Sequence, residues 1–185
     1  DTELVYYDTI EEAILNSPLN AENEELSVPA DFLNQVDETL YIWQGENYDT
    51  IFYRAGTDND DIQGLVMARC KKQIQNGYTQ YAFMNATPVT TKEDRILMDD
   101  ITELVHSSLK LSDIQQDLNP NYPDTRFVFG YAHDKEIHSL EVEEQKPDGV
   151  IEINVYDRTM YLWYYNDLKS NKRGDCLSYS IDVPE

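Results

Sequence analysis

The stretch LVMARCKKQIQNGYTQYAFMN, residues 65–85, decides the fold. At its centre lies Asn76-Gly77, and both residue types tolerate the positive φ angles that a two-residue hairpin turn requires. Polar and apolar side chains alternate before this turn, and after it Tyr81 and Phe83 fall on one face of an extended chain. The stretch therefore predicts two antiparallel strands joined at Asn76-Gly77.

Two further strand signals precede this hairpin. Residues 39–44 and 50–55 are rich in aromatic and β-branched side chains, and the residues between them are typical of a turn. Nearer the N-terminus, residues 9–12 have the form of a helix capping box, and Pro18 ends the helix because it disfavours helical geometry in the residue before it. The first half is thus predicted to be a short helix followed by an antiparallel meander.

The second half begins with the longest amphipathic segment of the chain. A second capping box lies at 90–93, and apolar residues then recur at spacings of three and four. These residues are Leu97, Ile101, Leu104, Val105 and Leu109. Strand signals follow at 126–131, 137–144, 150–156, 160–165 and 176–183.

Together these elements predict the α+β class. We expect an antiparallel β-sheet of hairpins and a meander, a short N-terminal helix and one longer amphipathic covering helix. The sequence shows no internal repeat and no flexible linker, so we expect a single domain over residues 1–185. The loop at 119–124 is the one place where the sequence suggests a subdomain seam.

The charge balance restricts the choice of partners. Thirty-six acidic residues face 14 basic ones, which gives a formal net charge of -22. Such a field repels nucleic acid, whose phosphates are bound through Lys and Arg, and it favours a basic partner or a cation, unless the charge serves solubility alone. No run approaches the ~18 apolar residues of a membrane span, so no transmembrane segment is predicted in this chain.

An acidic turn precedes the central hairpin and invites comparison with a calcium loop. The EF-hand pattern fails, because Ile62 and Gln63 stand where a ligand and a glycine are required. An irregular calcium site at Asp58, Asp60 and Asp61 stays open, beside the interpretation as a plain polar turn.

Histidine and cysteine give no metal-binding pattern. In a strand, residues five apart point to opposite faces, so we interpret HDKEIH at 133–138 as a turn between two strands without a metal site. Cys70 and Cys176 lack the CxxC spacing of a structural zinc site. They leave open a disulfide, if the protein is exported, or the role of a small buried hydrophobic residue for Cys70. No cofactor is predicted.

Aromatic residues supply the candidate binding positions. The segment MYLWYY at 160–165 places Tyr161, Trp163 and Tyr165 on one face of a strand, and its other face is also apolar. Either this is a central strand covered on both sides, or it is an exposed platform for a protein or sugar. Tyr41 and Trp43 in the first hairpin allow the same two interpretations.

Three features carry a resemblance to a group of proteins. They are TIEEAI at 9–14, YIWQG with TIFYRA at 41–55, and GYAHDKEIHSLEV at 130–142 followed by the aromatic strand. In these features the chain resembles uncharacterised exported or lipid-anchored proteins of Gram-positive bacteria. The resemblance implies an extracellular or cell-surface location and a non-enzymatic role, and it assigns no functional residue. The first residue is Asp1 rather than an initiator Met, which we expect from removal of an export signal.

Three functional hypotheses follow. The first is an exported or cell-surface module that binds a protein, peptide or glycan through aromatic strand faces. The alternative is an acidic intracellular, cytoplasmic protein of the immunity type that masks a basic partner. The third is an enzyme whose site is not visible in the sequence, since there is no G-x-S-x-G, no H-E-x-x-H and no Gly-rich phosphate loop from which to assign a catalytic residue.

Overall fold

The computed structural model of the chain describes residues 3–20, 33–56, 63–91, 100–117, 125–155 and 158–184. Its helices and antiparallel sheets confirm the α+β class that the sequence predicts. Backbone contacts divide the chain into two units, Asp1–Lys92 and Glu93–Glu185. The predicted seam at 119–124 lies outside the described residues, as does the candidate calcium turn, and the single-domain organisation stays a prediction.

The first unit contains helix α1 and a four-stranded antiparallel sheet. Helix α1 is Ile10–Leu15, and the strands, in their order across the sheet, are β1 Glu38–Gln44, β2 Tyr48–Ala55, β3 Gln63–Gln75 and β4 Tyr78–Thr91. The predicted hairpin is confirmed, because Asn76 and Gly77 have φ angles of 53° and 81°. The predicted cap is also confirmed, since the Glu12 amide donates to Thr9 Oγ1 over 3.1 Å.

Both faces of this first sheet are buried in the stretch where β2 and β3 pair. On one face, side chains from β2 and β3 form a core with helix α1. The members of that core from these elements are Ile10, Ala13, Ile14, Ile51, Tyr53, Ala55, Val66, Ala68 and Cys70. On the other face, Phe52 and Leu65 are also buried. Because strand residues alternate between faces, this double burial accounts for the consecutive apolar residues Ile51, Phe52 and Tyr53 in β2.

The second unit is built around a three-stranded sheet with β8 in its centre. Its elements are helix α2 Ile101–Asp117 and strands β5 Val128–Ala132, β6 Glu141–Val142, β7 Gly149–Val155, β8 Arg158–Tyr165 and β9 Tyr179–Ser180. The order of the larger sheet is β5-β8-β7, and β6 pairs with β9. Two turns of 3-10 helix, Lys135–Ser139 and Gly174–Cys176, complete the unit. Buried residues of α2 join the core on the face of β8 that carries Trp163.

Three predicted elements are corrected by the structure. Thr90 and Thr91 do not cap a helix, because both lie in β4, where they pair with Gly64 and Gln63. Helix α2 instead begins at Ile101, where the Asp100 carboxylate accepts the Thr102 amide over 2.7 Å.

The predicted strand at 137–144 is mostly a 3-10 turn followed by the two residues of β6. It cannot continue as a strand, because Glu143 and Glu144 have φ angles of 48° and 59°, in the left-handed region. The predicted strand at 176–183 is likewise reduced to Tyr179–Ser180, since the residues before it form the last 3-10 turn.

A close approach of backbone to ring fixes the centre of the second unit. Gly130 of β5 is paired with Trp163 of β8, and a Cβ atom on Gly130 would lie 2.5 Å from Trp163 Cζ2. The same atom would lie 2.5 Å from Ser108 Oγ of helix α2. The indole therefore occupies the space that a side chain at Gly130 would need.

Candidate binding site

The structure buries most of the aromatic side chains that the sequence offers as a binding platform. Trp163 is 0% exposed, Tyr165 2%, Tyr161 7% and Trp43 8%, whereas Tyr41 is partly exposed. Tyr41 and Trp43 belong to the first unit and the other three to the second. The exposed platform that the first hypothesis requires is therefore not found, because β8 is a central strand covered on both faces.

Tyr165 has a structural role inside the second unit. Its hydroxyl donates to the Gln145 carbonyl over 2.8 Å and accepts the Val142 amide over 3.1 Å. Burial raises the pKa of Tyr165, so the phenol keeps its proton and remains a donor. Through these two hydrogen bonds, Tyr165 at the end of β8 stabilises the turn after β6.

Tyr161 differs from the other buried aromatics at its polar end. Its ring belongs to the core of the second unit, yet no hydrogen bond joins its hydroxyl to another described residue. The hydroxyl oxygen is also not among the fully enclosed polar atoms, so it reaches solvent. A side chain that is more than nine-tenths buried thus presents an unpartnered hydroxyl at the surface.

Three carboxylates from two different elements lie near enough to Tyr161 for their charges to act on its hydroxyl. Glu152 of β7 is the residue paired with Tyr161 across the sheet, and both side chains lie on the same face. Asp134 is the N-cap of the 3-10 turn that follows β5, and Glu136 lies in its first turn. Burial first, and then the charges of Glu152, Glu136 and Asp134, raise the pKa of Tyr161.

One wall of this region is a second ring. The imidazole of His138, at the end of the same 3-10 turn, meets the Tyr161 ring edge to face, with ring centroids 5.2 Å apart and an interplanar angle of 78°. We call Tyr161, Asp134, Glu136, His138 and Glu152 together the Tyr161 site. Apart from the buried Tyr161 ring, its members are exposed or half-buried.

The carboxylates of the Tyr161 site are not neutralised within the described chain. None of the three forms an ion pair with another described residue. Other acidic residues of the second unit do have such partners: Glu143 pairs with Lys172, Asp167 with Lys169 and Asp175 with Arg173. The Tyr161 site therefore has negative charge available for a cation from outside the chain.

A polyatomic cation suits these groups better than a metal ion. Among the described residues there is no group of three or more His, Cys, Asp or Glu side chains close enough together to hold a metal ion. A bound calcium ion needs several oxygens within about 2.3–2.6 Å, and no such group of side chains exists among the described residues. Protonated nitrogen groups have a longer reach and fit a wider arrangement of acceptors.

The sequence shows the parts of this site but not their assembly. Tyr161 is one of the predicted binding residues, and HDKEIH is recognisable as a segment rich in polar, titratable side chains. Glu152 is the residue that sequence reasoning misses. Its neighbours Ile151 and Ile153 suggest a plain wet face, and only the register between β7 and β8 shows that it lies beside Tyr161.

Comparison of the chain with protein-family models, with curated proteins and with solved structures finds no match in any of the three. Within the described residues, no helix combines the length and the apolar character that crossing a membrane demands. The two cysteines are free thiols, with Cys70 buried in the first unit and Cys176 exposed in the second. The resemblance to exported Gram-positive proteins stays a prediction.

Proposed function

We propose that this chain is a non-enzymatic interaction module that binds a basic segment of a partner protein at the Tyr161 site. The observation that carries the proposal is the unpartnered Tyr161 hydroxyl among three carboxylates without ion pairs. A buried aromatic body with a polar end at the surface is a common anchor in protein recognition. The net charge of -22 adds a long-range attraction for a basic partner.

This proposal keeps one part of the first hypothesis and changes another. The chain remains a binding module, but its ligand is recognised through charge and one hydroxyl instead of through exposed aromatic faces. The aromatic faces lose their support because four of the five side chains concerned are buried. A glycan ligand loses support for the same reason, since sugars are bound by exposed rings.

The alternative hypothesis of an acidic protein that masks a basic partner invokes the same chemistry. The two differ in location, which is predicted to be extracellular or cell-surface in one and cytoplasmic in the other. Cell fractionation, with protease treatment of intact cells, distinguishes them. A surface location fits a receptor or adhesion module, and a cytoplasmic location fits a neutralising protein.

Binding is tested with a fluorescent peptide that alternates lysine and arginine with serine, measured by anisotropy at low salt. An acidic peptide of the same length, with glutamate in place of the basic residues, is the negative control. We expect the basic peptide to bind and its affinity to fall as salt is added, because screening weakens surface charge pairs.

A matched pair of triple variants locates the binding. The site variant is Asp134→Asn, Glu136→Gln and Glu152→Gln, and the control variant is Glu46→Gln, Glu103→Gln and Glu144→Gln. Both remove three charges, and the Asp134 side chain makes no capping hydrogen bond that Asn would lose. At ~0.5 kcal/mol for each exposed pair, the site variant should bind about tenfold more weakly. Equal losses in the two variants would contradict the proposal.

A further inference from the structure

The carboxylates of the Tyr161 site come from elements on both sides of β8. Glu152 comes from β7, whereas Asp134 and Glu136 come from the 3-10 turn after β5. A ligand that engages both sides has to present several donors in different directions from one group. The three N–H groups of a lysine ammonium share one nitrogen and form a compact charge. An arginine guanidinium distributes five donors over three nitrogens in a rigid plane, so it reaches acceptors that lie further apart.

We propose that the residue recognised at the Tyr161 site is an arginine of the partner, with its guanidinium bridging Glu152 and the carboxylates of the 3-10 turn. This inference rests on the proposed function and adds the identity of the recognised side chain. It stands on the strand register, on the ring contact of His138 with Tyr161 and on the unpartnered hydroxyl.

The walls of the site suit a planar cation. The His138 ring is exposed and held against the Tyr161 ring, so it gives the guanidinium a flat surface on which to stack. The Tyr161 hydroxyl lies at the surface and accepts one N–H, since an oxygen of this type has two lone pairs. Lysine has no planar group to stack and binds as a point charge.

Two peptides with the same backbone and charge test this inference. One alternates arginine with serine and the other alternates lysine with serine, and each is titrated into the labelled full chain while amide signals are followed by NMR. We expect the arginine peptide to bind about fivefold more tightly, through its additional charge-assisted hydrogen bond. The largest shifts should fall on Tyr161, His138 and Glu152.

The variant Tyr161→Phe separates recognition from folding. Its hydroxyl makes no hydrogen bond within the described chain, so the variant keeps the core ring and should fold, which its amide spectrum verifies. We expect the arginine preference to disappear in this variant and to persist in the control Glu103→Gln.

Each result has a distinct meaning. Equal affinity of the two peptides at the Tyr161 site overturns the arginine assignment and leaves the proposed function standing. An arginine preference that survives in Tyr161→Phe also overturns the assignment. Shifts scattered over the chain, or no shifts at the site with either peptide, overturn the assignment and the proposed function together.

Discussion

Substitution of Gly130 by Ala tests the packing that shapes the second unit. The new Cβ atom would lie 2.5 Å from Trp163 Cζ2, 2.7 Å from Trp163 Cε2 and 2.5 Å from Ser108 Oγ. Ordinary van der Waals contacts begin at 3.4 Å, so these atoms must retreat by about 0.7–0.9 Å. The indole has little room to do so, because it is fully buried.

The expected cost follows from the rigidity of a packed core. Overpacking by one methyl group costs ~1–3 kcal/mol, and the close approach to two different side chains places Gly130→Ala at the upper end. With an m value of ~1–3 kcal/mol/M, the urea midpoint of the second unit should fall by at least ~1 M. Urea unfolding followed by circular dichroism measures this midpoint.

A rescue experiment identifies the cause. Trp163→Phe removes the indole atoms that clash, so Gly130→Ala should cost at least ~1 kcal/mol less in that background than in the native one. Gly77→Ala is the contrasting control, because a Cβ atom there meets no atom within 4 Å, whereas the φ of Gly77 is 81°. We expect this substitution to lower the free energy of unfolding by ~1 kcal/mol through backbone strain, which Trp163→Phe does not relieve. A loss below ~0.5 kcal/mol for Gly130→Ala would refute the packing argument.

Two further predictions concern titratable groups. Cys176 should react rapidly with a thiol reagent in the native protein, whereas Cys70 should react only after unfolding. Cys70 is buried, and its burial, with the charges of Asp49 and Glu11, raises its pKa to about 12. Rapid reaction of both thiols in the native protein would contradict this prediction. The hydrogen bonds of Glu143 with Lys172 and Ser178 lower the pKa of Glu143, so its stabilising effect is present above its unfolded pKa and lost as the pH falls through the folded one. In urea unfolding, Glu143→Gln should therefore reduce the difference in the free energy of unfolding between neutral and acidic pH. An unchanged difference would contradict a stabilising role for the hydrogen bonds of Glu143 with Lys172 and Ser178.

The sequence predicts the first unit more completely than the second for a physical reason. The hairpin at Asn76-Gly77 is set by two adjacent residues whose φ preferences are intrinsic, so no tertiary information is needed. The cap at Thr9 is equally local. The prediction fails where a tertiary contact decides: Thr90 and Thr91, at the end of the first unit, carry a helix-start signal, but pairing with β3 overrides it. A short capping signal is weaker than a full set of strand hydrogen bonds.

The candidate site depends on register, which local patterns do not encode. Alternation in β7 distinguishes two faces, but it does not say that Glu152 lies opposite Tyr161. Nor does alternation in β8 distinguish a central strand from an exposed platform, because both have apolar residues on each face. The central position of β8, and with it the burial of Trp163, follows from the strand order β5-β8-β7.

The two strand orders have a consequence for how the chain can assemble during synthesis. In the first unit each strand pairs with its neighbour in sequence, so every added strand can find its partner as soon as it leaves the ribosome. In the second unit β5 and β7 are both bound by β8, which is made after either of them. A nascent chain that stops before Arg158 has all the strand pairs of the first sheet and neither pair of the three-stranded one. The three-stranded sheet of the second unit can therefore form only after the aromatic strand β8 has been synthesised.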